Sequence, residues 1–185
     1  MTFDPVHDTQ IVHRALLKAF SFPGTAVSIA GPASRAADKN LPAALAAVVL
    51  TLLDSETTCW SADAAVSDLA GCPRRPRHEA AFVFAAGGEA WDQAFVHARR
   101  GTLADPHLGA TVVGWTGEAD PEQGWTASGP GLEHPRVVSL PAGDWVWRRN
   151  EACAEFPLGV DLVWVRGDSV VALPRTTRLT PGGEA

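Results

Sequence analysis

Lysine is nearly missing from this 185-residue sequence, with only Lys18 and Lys39 present. Schiff-base chemistry needs a lysine whose ammonium is stripped of water. Lys18 falls on the first expected helix and Lys39 in a polar loop before the next, so neither has an evident pocket to lower its pKa. Cysteine is also scarce. Cys59, Cys72 and Cys153 are odd in number and widely spaced, which excludes a disulfide framework, a CxxC pair and the ligand spacing of an iron–sulfur cluster. They read as inert thiols in a reducing compartment. No apolar run reaches the ~20 residues of a membrane span, the longest being Leu41–Leu53. No basic-then-apolar start follows Met1, so no secretory signal is visible. A cytoplasmic protein without a membrane partner is the expectation. The net charge of −6 argues against nucleic acid as the main partner.

Catalytic signatures are missing as well. There is no GxxxxGK[ST] phosphate loop and no GxSxG elbow. Gly129-Pro-Gly131 starts like a dinucleotide fingerprint but lacks the third glycine. His78-Glu79 starts like HExxH, with Phe82 where the second histidine must stand. The six histidines show no i,i+4 pairing, so no metal site is expected.

Apolar residues make up 46% of the chain and charged ones 19%, which is ordinary globular composition at a length that suits one domain, residues 1–185. A helix capped by Asp8 is expected through about Phe20, then a turn at Pro23-Gly24 and a strand over Thr25–Ala30. Gly31–Asn40 reads as a loop. Asn40 and Pro42 mark the start of a helix to Leu53 that is apolar on nearly every face. A helix buried all round implies layers on both sides, hence a three-layer α/β domain. Strands are expected at Thr57–Trp60, Ala80–Ala85, Ala110–Trp115, Gly124–Ser128 and Arg136–Leu140. Helices are expected at Glu89–Arg99 and Trp145–Glu155. Val160–Arg166 and Ser169–Leu173 flank Gly167-Asp168, the signature of a type II′ hairpin.

Five features carry candidate function. Asp161 enters an apolar strand, where a carboxylate needs hydrogen bonds or a cation. Arg175, Thr176 and Thr177 follow a proline at a strand end and offer one fork donor and two hydroxyls, a set that suits an oxyanion. The alternative is a structural Asp161–Arg175 pair beside strand threonines. Arg74, Arg75 and Arg77 form a basic run that reads as a solvated loop or as a contact for an anion. Asp54, closing the buried helix, is an ordinary polar turn or a group placed for a ligand. Seven tryptophans stand against no tyrosine, and those in the second half divide between core and interface anchors.

Ordered segments also carry a family resemblance. Asp4-Pro-Val…Gln10…Arg14-Ala-Leu-Leu-Lys-Ala-Phe-Ser-Phe-Pro-Gly24 resembles the N-terminal motif of PhnH proteins, subunits of the bacterial carbon–phosphorus lyase system. Leu50-Thr-Leu-Leu-Asp-Ser-Glu-Thr57 is similar to their buried-helix end, and Gly129-Pro-Gly131 to their central turn. The most specific block is Asn150…Phe156-Pro-Leu-Gly-Val-Asp-Leu162 followed by Ala172-Leu-Pro-Arg-Thr-Thr177. His13 and Phe20 depart from the expected Phe and Met, and residues 61–108 match poorly. The resemblance implies a homodimeric α/β fold with a mixed sheet, similar to PLP-dependent transferases but using no PLP or other cofactor. It implies PhnG-, PhnI- and PhnJ-like partners. It also implies a part in replacing the adenine of ATP by an alkylphosphonate, giving α-D-ribose 1-alkylphosphonate 5-triphosphate. No catalytic residue is assigned. A self-standing protein that binds phosphorylated metabolites at Asp161, Arg175, Thr176 and Thr177 is the other reading.

Overall fold

Three short apolar runs, near residues 83, 113 and 163, alternate between two buried sides, as strands covered on both faces must. The computed structural model describes residues 2–36, 38, 40–87, 89–117 and 120–182. Its first half runs α1 (His7–Ser21), β1 (Val27–Ser28), α2 (Ala30–Arg35), α3 (Ala43–Leu52), β2 (Cys59–Ser61), α4 (Ala64–Ala70), β3 (Phe82–Ala86) and α5 (Glu89–His97). The second half runs β4 (Thr111–Trp115), β5 (Glu122–Ser128), β6 (Arg136–Pro141), α6 (Trp145–Ala152), β7 (Asp161–Arg166), β8 (Ser169–Leu173) and β9 (Arg178–Pro181).

Six strands form a mixed sheet in the order β1-β8-β7-β4-β3-β2. The pairs β2–β3, β3–β4 and β4–β7 are parallel, while β8 returns antiparallel to β7 and β1 antiparallel to β8. Phe84, Val113, Val163 and Val165 point into one core with α1 to α4; Val83, Val112, Leu162 and Trp164 point into another with α5 and α6. The second core is closed by a three-stranded antiparallel sheet in the order β6-β5-β9, which inserts Trp125, Ala127, Val138, Leu140 and Leu179. The expected three-layer α/β arrangement with a mixed sheet is therefore present. Among the described residues, no helix is long and apolar enough to cross a membrane.

The buried helix is α3. Ala44 through Val49 lie under α1, α2 and α4, so their small side chains let four helices crowd together on one sheet face. The hairpin also forms as read: Arg166 pairs with Ser169, Gly167 has φ +51°, and Asp168 avoids the positive-φ region, the combination that a type II′ turn requires.

Several local readings need correction. Asp8 does not cap α1. Asp4 does that work, its Oδ1 accepting from the Val6 and His7 N–H groups at 2.8 Å. Asp8 lies inside the helix and pairs with the Arg35 guanidinium, which holds its carboxyl down at about 2. That pair anchors α2, which fills much of the segment read as a loop. Pro42 itself is the residue before α3, with no side-chain cap from Asn40. The Thr25–Ala30 strand shrinks to Val27–Ser28, and α6 ends at Ala152, short of Glu155. Lys18 is exposed on α1, and Lys39 lies outside the described residues. Cys59 and Cys72 are buried beside each other, and burial pushes the Cys59 thiol up to about 12. Thiols of that kind are inert.

Candidate functional site

Pro174 follows β8 and has no N–H to continue the ladder. The chain turns there, and the Thr177 N–H donates to the Pro174 carbonyl at 2.9 Å. This turn, Pro174–Thr177, carries the chain from the six-stranded sheet to β9 of the smaller one. The hairpin brings it back to the start of β7, because Leu173 pairs with Leu162.

Asp161 and Arg175 meet there. The Arg175 N–H donates to Asp161 Oδ1 at 2.7 Å and Nη2 to Oδ2 at 2.6 Å, with Nε 3.2 Å from Oδ2. Arg175 Nη1 donates to the Pro106 carbonyl at 2.7 Å. Every guanidinium nitrogen is thus engaged inside the protein, so Arg175 organises the turn and does not present a free fork. The packing is close. A Cβ on Gly109 would stand 2.5 Å from Arg175 Nη1, and one on Gly129 (φ +134°) would stand 2.7 Å from the Thr176 carbonyl. Of the other two sequence candidates, Thr176 is half-buried and its hydroxyl makes no hydrogen bond among the described residues. Thr177 is 1% exposed, and its Oγ1 has no partner among the described residues.

Beneath the turn lies a residue that sequence reasoning missed. Arg149 of α6 is 0% exposed. Its Nη1 donates to the Thr177 carbonyl at 2.8 Å and its Nη2 to the Pro174 carbonyl at 2.6 Å, while Nε has no partner among the described residues. Burial pushes the Arg149 pKa down, and the nearby Cys153 and Asp161 oppose that shift. The signal was present in the helical period. Trp145, Val146 and Ala152 are buried on α6, and Arg149, four residues after Trp145, shares their face. Asn150 ties the same helix to β9, its Nδ2 donating to the Leu179 carbonyl at 2.7 Å.

Between α6, the turn and Pro130 opens a cavity of about 460 Å³. Trp147, Phe156 and Leu179 give it apolar walls, and Thr176 and Arg178 give it polar ones; among the described residues none that line it is acidic. The half-buried Cys153 also lines it, its thiol held against the Val160 backbone. Such a site can bind and orient. Among the described residues no histidine hydrogen-bonds a serine, threonine or cysteine; His97 meets Gln93 at 3.1 Å. Nor do three or more His, Cys, Asp or Glu side chains gather as a metal cluster would.

The remaining candidates resolve locally. Asp54 Oδ1 accepts from the Glu56 and Thr57 N–H groups and from the Thr57 hydroxyl, an ordinary polar turn. The arginine run lies along β2: Arg74 bridges Cys59, and the Arg77 guanidinium sits 3.6 Å over the Trp60 ring. Trp125, Trp145 and Trp164 are core, Trp115 is half-buried, and Trp147 is 49% exposed against the edge of Trp125.

Comparison with known proteins adds an independent line. The model of the family described as bacterial phosphonate metabolism protein (PhnH) matches residues 2–180. A protein of Stutzerimonas stutzeri named as a C-P lyase subunit, HtxG, is 36% identical over 182 residues, covering 94% of this chain and 87% of its own. The alpha-D-ribose 1-methylphosphonate 5-triphosphate synthase subunit PhnH of Rhizobium meliloti is 32% identical over 195 residues, covering 95% and 92%.

Proposed function

Because the chain belongs to the PhnH family of bacterial phosphonate metabolism proteins, we propose that it works as a subunit of a carbon–phosphorus lyase complex. Its role there is to support formation of α-D-ribose 1-methylphosphonate 5-triphosphate from ATP and a phosphonate. The observation that carries this reading is similarity along nearly the whole length of two relatives, one named as a C-P lyase subunit and the other as a subunit of that synthase. In that reaction the N-glycosidic bond of ATP breaks, adenine leaves, and a phosphonate oxygen bonds to the ribose carbon.

An accessory place in the reaction suits the site. Asp161 and Arg175 are bound to each other, and Arg149 is sealed under the turn. The partners in this reading are PhnG-, PhnI- and PhnJ-like chains, with a second copy of this chain in a cytoplasmic homodimer that uses no PLP. Co-expression with those chains and purification through a tag on one of them tests it. The expected result is stoichiometric recovery of this chain and adenine release that needs it. Full adenine release from the other chains alone, with no co-purification, overturns it.

A further inference from the structure

The carboxyl ends of β4 and β7 lie at the edge of the main sheet opposite the Pro174–Thr177 turn. Open α/β sheets bind ligands in the crevice outside that edge. Here Trp115 pairs with Val165, so Thr116 and Arg166 leave the sheet side by side. A cavity of about 390 Å³ opens between them, the β7–β8 hairpin and the start of β5. That volume lies within the ordinary range of small-molecule sites. The subunit role makes no use of it.

Its polar wall is one connected network. Arg166 Nη2 donates to Glu122 Oε1 at 2.8 Å, which joins the main sheet to the smaller one. The Ser139 hydroxyl of β6 donates to Glu122 Oε2 at 2.6 Å. The Arg166 guanidinium lies 5.5 Å from the centre of the Trp164 ring, and the Trp164 indole N–H donates to Thr116 Oγ1 at 3.0 Å. Trp164 is 1% exposed, so the network is anchored in the core. Each group is held in place and still has capacity to spare. Each Glu122 oxygen keeps a lone pair, and Arg166 keeps further N–H donors. Among the described residues, the Thr116 proton has no acceptor and the Ser169 hydroxyl has no partner.

Charge decides what this wall can hold. Asp120 Oδ2 accepts from the N–H of the lining residue Gly117 at 2.8 Å, and Asp168 stands in the hairpin between Gly167 and Ser169. With Glu122 these make three carboxylates against the one guanidinium of the lining, so an anion is repelled. A zwitterion would have to part Arg166 from Glu122, and charge-assisted bonds of that kind are the strong ones. Both Glu122 oxygens already accept a hydrogen bond, which leaves no free carboxylate oxygen there for a simple ammonium. A neutral group that both donates and accepts avoids these costs. Two neighbouring hydroxyls do so, one donating to Glu122 while the other accepts from Arg166.

We propose that the cavity at the carboxyl ends of β4 and β7 binds the vicinal diol of a neutral sugar. Glu122 accepts from one hydroxyl, Arg166 and Thr116 donate to its neighbours, and Ser169 closes the hairpin side. The site belongs to this chain alone, so its test is independent of complex assembly.

Nuclear magnetic resonance of the nitrogen-15-labelled full chain tests the proposal. The seven tryptophans give separate indole N–H signals, and Thr116→Val identifies that of Trp164 by removing its acceptor. Titration with methyl β-D-ribofuranoside is expected to move the Trp164 signal, with a dissociation constant on the order of 1 mM. The 2-deoxy riboside is expected to bind at least about tenfold more weakly, because it leaves groups built for a hydroxyl unpaired. Ribose 5-phosphate is expected to bind more weakly than the uncharged riboside, because the carboxylates repel it. Glu122→Gln is expected to weaken the riboside about tenfold while keeping the shape of the wall. Ser169→Ala, at the hairpin, is expected to weaken it less. A Trp164 signal that stays still up to about 100 mM riboside overturns the proposal. Equal binding of the 2-deoxy riboside overturns it too, as does tighter binding of ethanolamine or ribose 5-phosphate. So does a response that survives the Glu122→Gln and Ser169→Ala changes together.

Discussion

The two faces of the main sheet are built from different materials. The α1–α4 face is closed by alanine, valine and leucine, with Ala44, Ala46, Ala47 and Val48 wholly or nearly buried at the centre. The other face is filled by Trp91, Trp125, Trp145, Trp164 and Phe95, and it holds the buried Arg149. Small side chains pack helices tightly onto the sheet and leave little room. Large rings and a guanidinium hold apart a helix and a second sheet, and the candidate cavity opens at their edge. The charged pair on the first face, Asp8–Arg35, lies at its periphery and ties α2 to α1. The pair on the second, Asp161–Arg175, shapes the wall of a cavity. Similar chemistry thus serves packing in one place and site geometry in the other.

Substitutions can break that contrast, in order of expected size. Arg149→Ala strips two strong hydrogen bonds from the turn carbonyls and leaves a void under them. A loss of about 4 kcal/mol is expected, read as a fall of roughly 10 °C in Tm. A near-neutral result would mean that the aromatic face tolerates loss of its cation. Leu45→Ala, at the centre of the aliphatic face, is expected to cost about 3 kcal/mol by urea denaturation, from the cavity alone. Asp161→Asn keeps the shape of the turn but removes the charge from the Arg175 pair, with about 2 kcal/mol expected in the same assay.

The Asp8 prediction concerns acid. Arg35 and the Asp4 N–H hold the Asp8 carboxyl at about 2, below its ordinary 3.8. A depressed carboxyl contributes stability above the unfolded value and loses it as pH falls through the folded one. Denaturation midpoints measured between pH 4 and 2 should therefore fall less steeply for Asp8→Asn than for the unaltered chain. The smallest effect is expected for Phe156→Ala, within about 0.5 kcal/mol, because that ring is exposed. A larger loss would show that Phe156 braces the aromatic face.

Much of this contrast was legible in the sequence, and the misses have physical causes. The Leu41–Leu53 segment announced a buried helix because nearly every side of it is apolar, and Asp161 announced a partner because a carboxylate entered an apolar strand. The hairpin placed Arg175 near Asp161 without fixing a contact, and the structure supplies that contact. The short helix α2 was hidden because Gly31 and Pro32 are poor helix formers, and Arg35 reaches across to Asp8 to hold it. The helix α4 carried ordinary signals that went unread: Asp63 accepts from the Ala65 N–H, and Gly71 ends it at φ +65°. For β9 there was no local cue, since its partner β5 lies far away in sequence. Arg149 was masked by its type, because arginine is read as solvent-facing unless its helical face is checked.

The pairing of β1 with β8 has a consequence for how the chain acquires its structure. Val27 finds its place only beside Val170, and β7, which β8 flanks, sits between β8 and β4. During synthesis α1 to α5 therefore emerge long before the strands that complete the sheet beneath them, and β9 closes the second sheet later still. Such distant pairings make folding slow, since loop-closure entropy is lost before the contacts repay it. Until residues 161–181 are available, the aliphatic face of α1 and α3 has only part of its sheet to rest on. A nascent chain of this design depends on its last strands for a finished core, and stretches made early stay exposed to chaperones and proteases until those strands arrive.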